Sequence, residues 1–359
     1  MHAWETRLAT ADTNRVVRPF EVGMGWSARW PRVNGHPAPA DAADDLARLS
    51  ETYVAESDRF FAYTTPSDFR LERRPALRFA TGNSQRNGSR AEQAPELAEF
   101  LRFTSPVPTP YPENNVANAR WFPARGRRAV VVLPQWNADA ESHNMLCRIL
   151  NFFGIAALRL SMPYHDVRRP AELERADYAV SSDLGRTIDA TRQGILDLRC
   201  CLDWLERQGY TELGVVGTSL GSCYAFIAAA HDPRLRVTVH NHASAYFADV
   251  VWHGQSTRHI RQSLESGIDL ERLRRCWLCI SPMAYFAQFE RWPRKSLIIY
   301  ATCDLTFLPE FSLQIIGEFE RRRLNHRVVA LPCGHYSIGQ TPFKYLDAYH
   351  IASFLRTAL

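Results

Sequence analysis

Residues 211–232 read TELGVVGTSLGSCYAFIAAAHD. Residues 213–216 are apolar and partly β-branched, the composition of a buried strand, and 222–230 are good helix formers that stop at Asp232-Pro233. Between them lies Gly217-Thr218-Ser219-Leu220-Gly221. A Gly-x-Ser-x-Gly at a strand-to-helix junction holds its serine in a strained turn with the hydroxyl clear of the sheet. Only small residues two positions either side let strand and helix pack that closely, and glycine at 217 and 221 meets the need. The following helix aims its amino end at Ser219, so the Leu220 amide is placed to hold a developing oxyanion. Taken alone, the five residues also fit a glycine-rich helix entry, and the context has to carry the reading.

That context is an alternation of strands and helices. Strands are expected at 155–161, 213–216, 236–241, 296–301 and 328–331, and helices at 140–153, 182–208, 222–230, 309–323 and 342–357. Leu184, Ile188, Thr191, Ile195, Leu198, Leu202 and Leu205 recur at three- and four-residue steps, so that helix lays one stripe on a sheet. Elements of this length in alternation predict an α/β fold, a mostly parallel central sheet with helices on both faces. Ligands of such sheets sit at the carboxyl ends of the strands. Residues 116–122 and 128–133 read as a hairpin joined by Pro123 to Arg127. Ahead of it, SPVPTPYPENN carries prolines at 106, 108, 110 and 112, the mark of an extended edge segment.

A serine hydroxyl becomes a nucleophile only when a base takes its proton, and the base needs an acid to orient it. Asp304 follows SLIIYATC and His335 follows VVALPCG, so each leaves a strand for a loop on the rim where Ser219 stands. Serine, acid, histidine is the chain order this architecture requires. Asp304 also reads as a cap for the helix starting near Leu308, and His335 as an ordinary loop histidine. Glu310 and His326 are the neighbouring alternatives, each inside or at the wrong end of an element. The second oxyanion donor is expected from Pro134-Gln135-Trp136-Asn137, by position the Trp136 amide and next that of Gln135. Tyr164 and His165, after the following strand, are expected on the same rim as possible substrate contacts.

The chain has 359 residues, 46% of them hydrophobic, enough for one large core. The expected division is an N-terminal extension over 1–104, packed on a main domain over 105–359, with a helical cap insertion at about 244–293. In the extension a helix is expected at 41–56 and a polar loop at 81–93, while Trp26 and Trp30 read either as the lining of a pocket or, the favoured reading, as pins that hold it to the main domain. Net charge is +5, and all but two of the 43 basic residues are arginine, dispersed among acids, which argues against a nucleic-acid-binding stripe. The eight cysteines lack a disulfide-framework spacing and read as reduced core thiols, Cys276 and Cys279 included. No run is long and apolar enough for a membrane span, and the amino terminus lacks an apolar signal core. A cytoplasmic protein without membrane span or nucleic-acid partner is the expectation, and its oligomeric state stays open.

These residues resemble the α/β-hydrolase superfamily over roughly 115–359. The resemblance rests on VVVLPQWNAD, on the elbow GTSLG, on SPMAYFAQFERWPRKSLIIYATCD, which looks like the stretch leading to the acid in dienelactone hydrolase-like and acyl-peptidase-like members, and on LPCGHYS, which resembles the histidine loop. Pro134-Gln135 departs from the common His-Gly. The resemblance implies a triad of Ser219, Asp304 and His335, with no metal and no organic cofactor. It implies hydrolysis of a small-molecule ester or thioester. An acyltransferase with the same triad, or a binding protein on the same scaffold, is the alternative. It also implies that the insertion bearing Tyr246, Phe247, Trp252, Trp277, Tyr285 and Phe286 forms a lid. Those aromatics read equally as an apolar wall of the site or as the insertion's own small core.

Overall fold

A computed structural model describes residues 1–32, 41–76 and 97–359. The polar loop expected at 81–93 lies outside the described residues. In chain order come α1 (His2–Ala9), α2 (Ala42–Ala55), α3 (Ser57–Phe60), β1 (Arg70–Pro75), β2 (Leu97–Thr104), β3 (Val116–Phe122), β4 (Arg128–Leu133), α4 (Asn144–Phe152), β5 (Ala156–Ser161), α5 (Leu184–Arg207), β6 (Glu212–Thr218), α6 (Leu220–His231) and β7 (Leu235–Asn241). Then follow α7 (Phe247–His253), α8 (Arg258–Leu264), α9 (Leu270–Cys276), α10 (Phe286–Phe289), β8 (Lys295–Ala301), α11 (Pro309–Arg321), β9 (His326–Leu331) and α12 (Phe343–Ala358).

The strands form one sheet in the order β1-β2-β3-β5-β4-β6-β7-β8-β9. From β5 to β9 every pairing is parallel, while β1, β2 and β3 run antiparallel to their neighbours. The expected hairpin is corrected here. Both of its strands exist, but β5 is inserted between them, β3 pairing with β5 at Asn118↔Ser161 and β4 with β5 at Val131↔Leu158. Five residues between two strands look like a hairpin turn, yet the same five also serve a chain that leaves one strand and skips a place, because nothing local records which neighbour the sheet will supply.

β2 and β1 extend this sheet from residues before 105, so the extension contributes strands as well as helices. Edge strand β1, RLERRP, is largely exposed and charged, which discourages pairing with another chain. The proline-rich stretch is no strand. It is anchored on α5, with Ser105 Oγ donating to Asp197 (2.6 Å) and Asn114 Nδ2 to Gln193 Oε1 (2.7 Å). Trp26 and Trp30 donate their indole N–H groups to Asp183 and Asp189 at the start of α5, at 2.9 and 2.8 Å.

Alternate residues of β4 face opposite cores. Ala129, Val131 and Leu133 pack with α5, α6, α2 and the cap, whereas Val130 and Val132 pack with α4 and α12. The sheet is thus covered on both faces. The cysteines are free thiols, all buried except the half-buried Cys303. Among the described residues no helix is long and apolar enough to cross a membrane.

Candidate active site

Ser219 sits between β6 and α6 at φ 56° and ψ −118°, a conformation costly for any residue with a side chain. Its N–H donates to Asn241 O on β7 (2.8 Å), which holds the turn against the sheet. The flanking glycines are required by space. A Cβ at Gly217 would lie 2.2 Å from Gly221 O, and one at Gly221 would lie 2.5 Å from Leu133 O and 2.7 Å from Pro134 O. Gly221 therefore also lets the loop after β4 close onto the serine turn.

The loops after β8 and β9 bring Asp304 and His335 to the same rim. Ser219 Oγ lies 3.0 Å from His335 Nε2, and His335 Nδ1 lies 2.9 Å from Asp304 Oδ2. The other Asp304 oxygen accepts the N–H groups of Thr306 (2.7 Å) and Phe307 (2.8 Å), so the acid caps its own turn while facing the histidine. The Phe307 ring stacks on the imidazole at 5.2 Å. Burial pulls the His335 pKa down, but the Asp304 charge, its hydrogen bond and the more distant Glu5 outweigh that and raise it above the ordinary 6.5. Burial pushes Asp304 up, and the same His335 with His242 overrides this and holds its carboxyl below the usual range. Glu310 is exposed, and His326 opens β9 at the far end of the sheet with Nδ1 on Leu324 O.

Sequence reasoning passed over two histidines. His242, just after β7 and 1% exposed, places Nδ1 2.9 Å from Asp304 Oδ2. Burial and the neighbouring His335 lower its pKa below the ordinary value, against the opposing pull of Asp304. His143, at φ 69° ahead of α4, contacts Thr218 Oγ1 through Nε2 at 2.9 Å and is held neutral, near pKa 4, by burial. The position of His242 at a strand's carboxyl end was a usable signal. His143 gave none, because it stands inside the stretch expected as helix.

A cavity of about 910 Å³ opens over Ser219 and spans both cores. On one side it is walled by Leu220, Cys223, Phe247, Val250, Val251 and Pro282. On the other it reaches Leu146, Ile149 and Ile338, with Asn241 and Asp347 below. Asn241 Nδ2 donates to both Asp347 oxygens (3.0 and 3.1 Å), and burial pushes that carboxyl up to about 7. Gln135 and Trp136 both line the cavity. The Asn137 N–H is taken by His165 Nε2 (2.9 Å), which leaves the Gln135 and Trp136 amides unpaired among the described residues, and Leu220, first in α6, has no helical acceptor for its own.

Two expected contacts move elsewhere. Tyr164 is fully buried against Tyr111 and Tyr178. His165, 2% exposed, has Nδ1 on Pro163 O (2.8 Å) as well as Nε2 on Asn137, so it braces the loop after β4 and does not line the cavity. Both readings assumed that a loop opening on the rim stays open, whereas the segment after it folds over these side chains. Of the six cap aromatics Phe247 alone lines the large cavity, while Trp277, Tyr285 and Phe286 are core. Among the described residues the set of side chains close enough to share a metal ion is His242, Asp304 and His335, with donor atoms within 4.8 Å, and it coincides with this relay.

The model of the family described as alpha/beta hydrolase domain containing 18 matches residues 118–275, from β3 into α9. An acetyl xylan esterase from Paenibacillus sp. R4 superposes with a TM-score of 0.57 at 13% identity, covering 94% of this chain and 99% of that one. A Pyrococcus furiosus esterase gives 0.53 at 14%, covering 96% and 99%. The acylaminoacyl peptidase of Pyrococcus horikoshii gives 0.52 at 11%, covering 81% of this chain but only 42% of the peptidase, so the chain spans less than half of that protein. The strand order, the serine turn and these likenesses agree on one architecture, the α/β-hydrolase fold.

Proposed function

We propose that this protein is a serine hydrolase acting on a carboxylic ester or thioester, with Ser219 as nucleophile, His335 as general base and Asp304 as the acid that orients it. The observation that carries this reading is the unbroken relay from Ser219 Oγ to His335 Nε2 (3.0 Å) and from His335 Nδ1 to Asp304 (2.9 Å). In the reaction His335 takes the hydroxyl proton as Ser219 Oγ attacks the carbonyl carbon, and Asp304 stabilises the imidazolium. The Leu220 amide and that of Trp136 or Gln135 hold the oxyanion, a contribution of about 3 kcal/mol per donor in related chemistry. His335 then protonates the leaving alcohol or thiol, and water, activated by the same imidazole, releases the acid. The apolar wall beside Leu220 and Phe247 suits the acyl group of such a substrate.

A fluorophosphonate probe tests this directly. The wild-type chain is expected to be labelled at Ser219 and to hydrolyse esters within a panel of graded acyl length, and Ser219→Ala to do neither. A folded wild-type chain that stays unlabelled at pH 8 and turns over no ester or thioester would refute the reading. Added alcohols that divert most of the acyl group from water would instead assign the site to acyl transfer.

A further inference from the structure

Residue 5 reaches the histidine loop from the opposite end of the chain. Glu5, on α1, is fully buried, and its two oxygens accept the N–H groups of Tyr336 (2.7 Å) and Ser337 (3.0 Å), the two residues after His335. Gly334, the residue before His335, faces it so closely that a Cβ there would lie 2.3 Å from Glu5 Cδ. Gly334 N–H closes the turn on Ser337 Oγ (2.7 Å). The backbone on both sides of His335 is thus packed on one acidic side chain. Nearby, Arg15 donates to Ser256 O and reaches Tyr336 Oη (3.5 Å), while Asp12 lines the cavity and pairs with Arg175 (2.7 Å), whose guanidinium lies over the Trp136 ring. The first fifteen residues therefore touch the histidine loop directly and are linked through Arg175 to Trp136 in the loop after β4.

We propose that Glu5 is a positioning residue: from the N-terminal helix it holds the loop that presents His335 to Ser219. This rests on the hydrolase reading above. A buried carboxyl is costly unless its hydrogen bonds are met, and here they are met by the backbone of the loop that must stay still. The charged and titratable groups facing His335 are Asp304 after β8, His242 after β7 and Glu5 from α1, with Tyr336 and Arg15 beside them. Glu5 therefore acts on His335 in two ways, through the loop's backbone and through its charge.

The variants Glu5→Gln and Glu5→Ala separate the two, with Arg7→Ala on the exposed face of α1 as control. On an ester that the wild type hydrolyses, Glu5→Ala is expected to lower kcat roughly tenfold or more with KM little changed, because the displaced imidazole serves the chemical step rather than binding. Glu5→Gln keeps an acceptor but loses the charge, so it should retain more activity while the acid limb of its pH profile moves to lower pH. Arg7→Ala should match the wild type. NMR titration of the His335 imidazole reads the same shift without turnover, so it remains decisive if the wild type proves inactive and the hydrolase reading fails, or if Glu5→Ala does not fold. Variants that melt at lower temperature yet keep the wild-type kcat, acid limb and imidazole titration would overturn the proposal and leave Glu5 as a structural cap of the turn.

Discussion

Ser219 is held where a side chain is strained, and the strain has a measurable consequence. Ser219→Gly is expected to be about 1 kcal/mol more stable than Ser219→Ala, since relief of ~1–3 kcal/mol of backbone strain exceeds the ~0.5–1 kcal/mol entropic cost of glycine. Denaturant midpoints of the two variants check this. At His335 the raised pKa gives a second expectation. The imidazolium cannot accept the serine proton, so kcat/KM should fall as pH drops through a value above 6.5. The stability linkage has the opposite sign. A histidine raised in the folded state stabilises fully below its unfolded pKa, and that contribution is lost as pH rises through the folded value, so activity should rise across a window in which stability falls. Melting temperature and kcat/KM across the same buffers check both slopes. Two histidines lie against Asp304, and substitution tells them apart: His335→Gln should cost about 10⁴ or more in kcat, as loss of a triad base does elsewhere, whereas His242→Gln, whose ring does not reach Ser219, should cost less than tenfold.

The cap elements divide by what they bury. α7 turns Phe247, Val250 and Val251 into the cavity, while Trp277, after α9, buries its ring in the core and donates its N–H to Leu184 O (3.2 Å). Phe247→Ala should therefore extend the acyl-chain length tolerated on an ester panel, by relieving a wall of roughly one aromatic ring. Trp252→Ala, which lies outside the large cavity, should leave the length profile unchanged although both are cap aromatics. Identical profiles for the two variants would show that α7 does not bound the acyl site.

Across the molecule, a buried polar network ties distant segments together. Arg168 and Asp197, both fully buried, pair at 2.8 Å, and Arg168 also donates to Asn114 O (2.8 Å) and Ser161 O (3.0 Å). The proline-rich stretch, the loop after β5 and α5 are joined through these bonds, which explains why a segment without strand pairing is nonetheless fixed. Removing one charge leaves the other uncompensated, so Asp197→Ala should destabilise the fold by ~3–5 kcal/mol. Chemical denaturation measures it, and a loss under 1 kcal/mol would mean that Arg168 finds other partners or water.

Strand and helix positions, the serine turn and the order of Ser219, Asp304 and His335 were legible in the chain, because each depends on periodicity and on turn residues within a few positions of one another. Most element bounds expected from α4 onward lie within a few residues of those observed, α4 itself starting later than expected because the loop at 135–143 precedes it. What lay beyond reach was pairing and burial. The insertion of β5 between β3 and β4, the closing of Tyr164 and His165 under a later segment, the second histidine on Asp304 and the seating of Glu5 beneath His335 each join residues far apart in sequence. Local pattern says which face of an element is apolar, but which distant group meets it is settled only when the whole chain packs, since burial of apolar surface has no direction of its own.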